Sequence, residues 1–324
     1  MPDTVLVSAQ VNDANPVLGR NALAGSMLIQ TGDGESLRGL RAQGDTDSEG
    51  MVGGAVSFGI GTQADNLLVA FEARHDKGWR VASPSTLYRG FAKGVHQGDG
   101  WGVEFSALGA ATDLTGNGVA PVELLDAKYD AVFTRPDTTR TRFGRVVAAP
   151  WLATSDTSRV ELRAHWQYLD RRNANGDLAD FGPCDVNLTQ LCVEDDDDGY
   201  SDPLFSNGIA VAADAAGDDP AVFNRGKERT RAYGATLQWQ DTVETSNGTR
   251  RIALGGTWEH ARTRFAAQTD LGELEDDRSV EDLGLPLTSA NGAIQPASLI
   301  SKLDDIALFA SMDLPLTSRL SVEA

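Results

Sequence analysis

Hydrophobic and polar residues alternate with a period of two along most of the chain. Val160, Leu162, Ala164, Trp166 and Tyr168 fall on one face, and Glu161, Arg163, His165 and Gln167 fall on the other. Tyr233, Ala235, Leu237 and Trp239 oppose Gly234, Thr236, Gln238 and Gln240 in the same way. Ile252, Leu254, Gly256 and Trp258 likewise oppose Ala253, Gly255, Thr257 and Glu259. Weaker copies place Leu67, Val69, Phe71 and Ala73 against Glu72 and Arg74, and Trp101, Val103, Phe105 and Ala107 against Glu104 and Ser106. Helical spacing fits these stretches poorly. The alternation predicts strands near 36–44, 51–60, 65–75, 85–97, 100–112, 139–148, 157–170, 227–241, 250–267 and 302–315, with an eleventh beginning at Ser318. The longest far exceed the five or six residues of an ordinary strand, as a tilted membrane barrel requires.

The connections carry a second signal. Those at Gln63–Asn66, Gln97–Gly100, Ala149–Asp156, Thr242–Thr249 and Pro315–Ser318 are short. The alternate ones, Asp76–Pro84, Asp113–Thr138, Arg171–Gly226 and Gln268–Ser301, are long, and only Asp45–Gly50 is modest. Tight turns at one end and long loops at the other characterise an outer-membrane barrel, whose long loops are extracellular. A soluble sandwich has no reason to sort its loops. Trp101 and Trp151 lie beside short turns while Trp166 and Tyr168 approach the longest loop, as expected if aromatics mark two membrane interfaces. Aromatics at strand ends occur in any β-protein, so this observation alone decides little.

The N-terminal stretch reads differently. A short strand at Thr4–Val7 and a polar turn precede Asn15-Pro16-Val17-Leu18-Gly19-Arg20-Asn21-Ala22-Leu23-Ala24-Gly25, which leads into the apolar Met27–Ile29 and Thr31. This segment resembles the end of the plug domain of TonB-dependent outer-membrane receptors, with Ala24 where a glycine is usual. Asp113-Leu114-Thr115-Gly116-Asn117-Gly118, followed by Pro121–Leu125 and Ala131–Thr134, is similar to an early extracellular loop of some of these receptors. The resemblance implies an all-β fold, a transmembrane antiparallel β-barrel of which about eleven of 22 strands are present. It divides the chain into residues 1–34, the end of a plug, and residues 35–324, the first part of the barrel. It also implies an internal fragment of a longer receptor, in the outer membrane of a Gram-negative bacterium. The implied role is uptake of a scarce substrate such as a ferric siderophore. The implied partners are outer-membrane lipid, an extracellular small-molecule ligand and the TonB complex, reached through a segment outside this chain.

Charge narrows the function classes. With 47 acidic and 28 basic residues the net charge is −19, which argues against a nucleic-acid surface built from Lys and Arg clusters. No run of about 18 apolar residues offers a transmembrane helix, and Met1-Pro2-Asp3-Thr4 does not open a signal peptide. Neither a Gly-x-Ser-x-Gly elbow, nor a phosphate loop, nor a His-Glu-x-x-His motif occurs. No catalytic residue and no enzyme are expected.

Cys184 and Cys192, the only cysteines, lie in the longest loop. In an exported loop, as the barrel reading has it, an even pair is expected to form a disulfide; the alternative is two free thiols in a cytosolic protein. Between Asn173 and Asn224 stand twelve acidic residues and no basic one. Asp195, Asp196, Asp198 and Asp202 offer oxygen ligands of the kind calcium takes, but the EF-hand pattern fails, with Glu194 at its first position and Phe205 at its twelfth. A solvated, mobile acidic loop is the stronger expectation. His75, His96, His165 and His260 have no metal-ligand spacing, and no metal site is assigned. Glu72, Arg74, Glu104, Arg163 and His165, on the polar faces of their strands, are candidates to line the lumen. Two other readings remain open, a passive porin-like outer-membrane barrel and a secreted acidic calcium-binding β-protein.

Overall fold

The computed structural model describes residues 6–12, 26–116, 118–195, 199–217, 219–317 and 320–323. A hairpin comes first, β1 (Leu6–Asn12) paired antiparallel with β2 (Ser26–Thr31). The Asn15–Gly25 stretch that carries the plug resemblance lies outside the described residues. A single antiparallel wall follows. Its strands are β3 (Gly39–Thr46), β4 (Val52–Gly61), β5 (Asp65–Asp76), β6 (Ser85–Gly98), β7 (Trp101–Thr115), β8 (Asp137–Ala153) and β9 (Ser158–Leu178). Between β7 and β8 the chain forms one short helix, α1 (Val122–Ala127).

The next four strands leave the wall. They are β10 (Phe181–Pro183), β11 (Leu191–Asp195), β12 (Gly199–Ser206) and β13 (Ile209–Ala210). The wall resumes with β14 (Pro220–Thr245) and β15 (Gly248–Leu274), is interrupted by β16 (Val280–Ser289), and ends with β17 (Ala297–Thr317) and β18 (Leu320–Glu323). The hydrogen-bonded order β3 to β9, then β14, β15, β17 and β18, makes eleven strands, each beside its neighbour in the wall. All eleven expected strands are present. Among the described residues no helix is long and apolar enough to cross a membrane, which says nothing of crossing by strands.

The strands are longer than their alternation suggested. β14 has 26 residues and β15 has 27, whereas a membrane-crossing strand needs about 9 to 11. Both continue past the apolar stretch toward the long loops, where polar and charged side chains occupy both faces. Antiparallel pairing needs only backbone partners there, so the hydrophobic signal ends before the strand does. The short turns span 62–64, 99–100, 154–157 and 246–247. Gly100, with φ of +71°, takes the left-handed conformation in the two-residue turn between β6 and β7.

The two faces of the wall differ in exposure. On β5 Leu67, Val69 and Phe71 are exposed, while Asn66, Leu68, Ala70 and Glu72 are buried. Leu37, from the turn after β2, packs against Leu68, Ala70 and Phe91. The backbone N–H of Gly34 donates to Asn66 Oδ1 at 3.0 Å. The segment that follows the hairpin therefore lies on the Leu68 face, here called inner. The opposite, outer face presents the apolar rows, with Trp166 stacked on Tyr168 at 6.4 Å and Tyr233 edge-on to Trp258 at 5.6 Å. Trp151 departs from expectation. Its register opposite Gly102 and Glu161 puts it on the inner face, under the Arg159 guanidinium, and not at an outer interface beside Trp101.

The acidic loop also departs from expectation. Residues 179–219 are not a mobile solvated segment along their described length. β10, β11, β12 and β13 pair with one another, and β16 joins β12 to the top of β15. Phe181, Leu191, Leu204, Leu271 and Leu287 form a buried core beneath this sheet. The acidic count concealed enough leucine and phenylalanine, spaced for strands, to bury a core of their own.

Candidate functional site: the inner face and its loop cap

The inner face is built by strand parity. Each second residue of β5 to β9, β14 and β15 points the same way, so polar residues distant in sequence come into rows. The register links Leu68, Lys93, Ser106, Val147, His165, Gly234 and Glu259 in one row. Glu104, Ala149 and Arg163 lie in the row nearer the short turns. Glu72 and Arg74 stand further toward the long loops. The five candidate residues thus share one face at four levels and do not converge on one point.

Ion pairs hold this face. Arg89 Nη2 donates to Glu72 Oε1 at 2.6 Å, with the Glu72 side chain 6% exposed. Lys93 Nζ lies 3.1 Å from Glu104 Oε2, and Arg74 Nη2 lies 3.2 Å from Asp45 Oδ2. Arg163 Nη2 reaches Glu161 Oε1 at 3.4 Å. Arg89 and Lys93 were missed in the sequence because β6 shows no clean alternation. Its inner positions include Leu87, Phe91 and Val95, and its outer ones Gly90, Ala92 and Gly94. Pairing to β5, whose pattern is clear, is the signal that finds them.

Above the inner face the four long loops interlock. The Val81 N–H donates to the Asp130 carbonyl at 2.9 Å, and Trp79 packs on Tyr129 at 5.1 Å between centroids. The Arg135 and Val280 backbones exchange with the opposing loop through Arg135 N–H to the Arg278 carbonyl at 3.0 Å and Val280 N–H to the Arg135 carbonyl at 2.7 Å. Arg278 lies over the Phe133 ring at 4.7 Å and donates to the Phe133 carbonyl at 2.6 Å. Cys184 and Cys192 are joined in a disulfide inside the cap and are buried there. Asp202 is buried and accepts from the Asn291 N–H at 2.9 Å. Asp196 and Asp198 lie outside the described residues, as does the Asp195 side chain. Among the described residues no group of three His, Cys, Asp or Glu is placed to hold a metal.

Asp277 closes the bridge between two of these loops. It accepts from the Ser279 hydroxyl and from the Ser279 N–H at 3.0 Å, and it pairs with Arg135. The Ser279 hydrogen bonds, aided by Arg135, hold its carboxyl below the ordinary aspartate range. A carboxyl depressed in the folded state contributes stability above its unfolded pKa of about 4 and loses it as pH falls through the lower folded value. The protection of amides 275–280, corrected for the pH dependence of intrinsic exchange, is therefore expected to fall locally below about pH 4. The Asp277→Asn variant should exchange faster at neutral pH and show a flatter acid response.

Among solved structures, the chain is similar to the RagAB peptide transporter, with a TM-score of 0.50 and 9% identity, over 84% of this chain and 31% of that one. The fold is that of a TonB-dependent receptor barrel. Likeness is also found to the ferric-catecholate import receptor Fiu from E. coli K12 in its open form, with a TM-score of 0.48 and 8% identity over 96% of this chain and 56% of that one. The siderophore receptor PiuA from Acinetobacter baumannii gives 0.45 and 9%, over 99% and 53%. This chain thus spans from about a third to a little over half of those proteins' lengths. No protein-family model and no curated protein matches it.

Proposed function

We propose that this chain is the end of the plug and the first part of the barrel of a TonB-dependent receptor in the outer membrane of a Gram-negative bacterium. The plug would end near residue 34 and the barrel begin near residue 35. The receptor takes up a scarce solute, a ferric siderophore being the class favoured and a peptide the alternative, with energy delivered through TonB. The observation that carries this reading is the entry of the chain on the inner face. Leu37 packs on Leu68 and Phe91, and Gly34 is held by Asn66, so the chain joins the wall from its inner face, as a plug inside the barrel would require. The ion-paired inner face supplies the polar lining, and the loop cap is the part a solute outside would reach first.

The test is uptake of radioactive iron, supplied as a hydroxamate and as a catecholate chelate, by iron-starved cells of the source organism with and without the intact gene. Loss of uptake in the deletion strain, and equal loss on removing TonB, is the expected result. Uptake that depends on the gene but survives loss of TonB would make it a passive pore. Unchanged uptake of both chelates alongside lost peptide uptake would move the cargo to peptides.

A further inference from the structure

The outer face changes character abruptly on four adjacent strands. On β9 the apolar run Val160 to Tyr168 is followed at the next outer positions by Asp170 and Arg172, and on β8 Val146 and Gly144 are followed by Arg142 and Arg140. On β14, Tyr233 is followed by Arg231 and Arg229. On β15, Trp258 is followed by His260, Arg262 and Arg264. A chain of net charge −19 thus sets a row of arginines on one narrow band of its wall. Among the described residues Arg142, Arg231, Arg262 and Arg264 have no ion-pair partner.

Part of the band is concave. A cleft of about 390 Å³ opens on the outer face between Tyr88 and Tyr168 and is rimmed by Arg140, Arg142, Arg172 and Arg229. Two carboxylates share it. Asp113 accepts from Arg140 Nε at 2.9 Å, and Asp170 accepts from both Nε and Nη2 of Arg229 at 3.0 and 2.8 Å and from Arg172 Nε at 3.3 Å. Four guanidiniums against two carboxylates leave two positive charges. Directly below, Gly90, Gly109 and Gly144 stand side by side on β6, β7 and β8, and the outer side of Gly90 and Gly109 is open space. A second cleft, of about 540 Å³, continues the band past Arg172 to Lys227.

We propose that this cleft binds the phosphate-bearing headgroup of a membrane lipid in the leaflet on the long-loop side. The inference rests on the membrane reading proposed above. Aromatic residues seat at the boundary between hydrocarbon and headgroups, and the arginines begin one outer position beyond Tyr233 and two beyond Tyr168, at the depth where lipid phosphates lie in the membrane reading. Guanidiniums clamp phosphate oxygens in a bidentate fork. Each basic side chain near an anionic membrane surface strengthens association by roughly fivefold.

The test uses the intact receptor in phosphatidylcholine vesicles doped with spin-labelled phosphatidic acid or spin-labelled phosphatidylcholine. The fraction of motionally restricted label is compared for the native protein, the Arg140→Gln/Arg142→Gln/Arg172→Gln variant and the corresponding Lys variant. The native protein should prefer phosphatidic acid by at least about fivefold. The Gln variant should fall toward parity and the Lys variant should retain most of the preference, with salt weakening both native and Lys binding. Equal preference in the native and Gln proteins would overturn the proposal, and so would loss of the preference to inorganic phosphate, which would make the cleft a site for the free anion. Failure of the native protein to float with phosphatidylcholine vesicles would instead overturn the membrane reading, and this inference with it.

Discussion

Replacing Arg89 with alanine is expected to destabilise the barrel wall by about 3–5 kcal/mol, the cost of breaking a buried ion pair from one side. Glu72, with its side chain 6% exposed, would keep a charge whose principal partner is gone. Its second oxygen, Oε2, already has no hydrogen-bond partner. Urea unfolding of the purified protein in detergent, followed by tryptophan fluorescence, reads the change. A paired Glu72→Gln/Arg89→Met replacement should recover most of the loss, because it removes both charges together. A loss under 1 kcal/mol for Arg89→Ala would show that water reaches Glu72 freely in solution.

Leu237→Arg is expected to cost about 2–4 kcal/mol in a bilayer, whereas Gln238→Arg, one residue along, should change stability by no more than about 0.5 kcal/mol. The difference depends only on parity. Leu237 is half exposed on the outer face, in a row with Leu162 and Gly256, while Gln238 pairs with Glu161 and Gly255 on the inner face. Folding into vesicles, scored by the fraction resistant to protease, separates the two variants. Equal tolerance at both positions would mean that the outer face does not meet hydrocarbon.

The wall was legible because its signals are local. Alternation at Val160–Tyr168, Tyr233–Trp239 and Ile252–Trp258 requires only that one face meet an apolar phase and the other a polar one. β6 was legible in extent but not in orientation, since glycine and alanine occupy its outer face where bulk was expected, and Phe91 faces inward to meet Leu37. The cap was not legible. Its strands are as short as two and three residues, and its core joins Phe181 to Leu287, a pairing no local pattern encodes. The candidates on the inner face could be assigned a side by parity, but their partners Arg89 and Lys93 came only from register. The arginine band was hidden for a related reason, because a charge on the apolar side of a strand reads as the end of the pattern and not as a feature of its own.

The cap has a consequence for the order in which the molecule is made. Phe181 and Leu191 leave β9 long before Leu271 and Leu287 have been threaded, and 106 positions separate the first from the last. Contacts so far apart in the chain wait on closure of everything between them. Leu271 on β15 and Leu287 on β16 must therefore be in place before the core that covers the long-loop end of the wall is complete. A wall that stalls after β9 would leave a leucine-rich, acidic tail open to proteases, and the presence of a closed cap reports that the strands beneath it have already been laid.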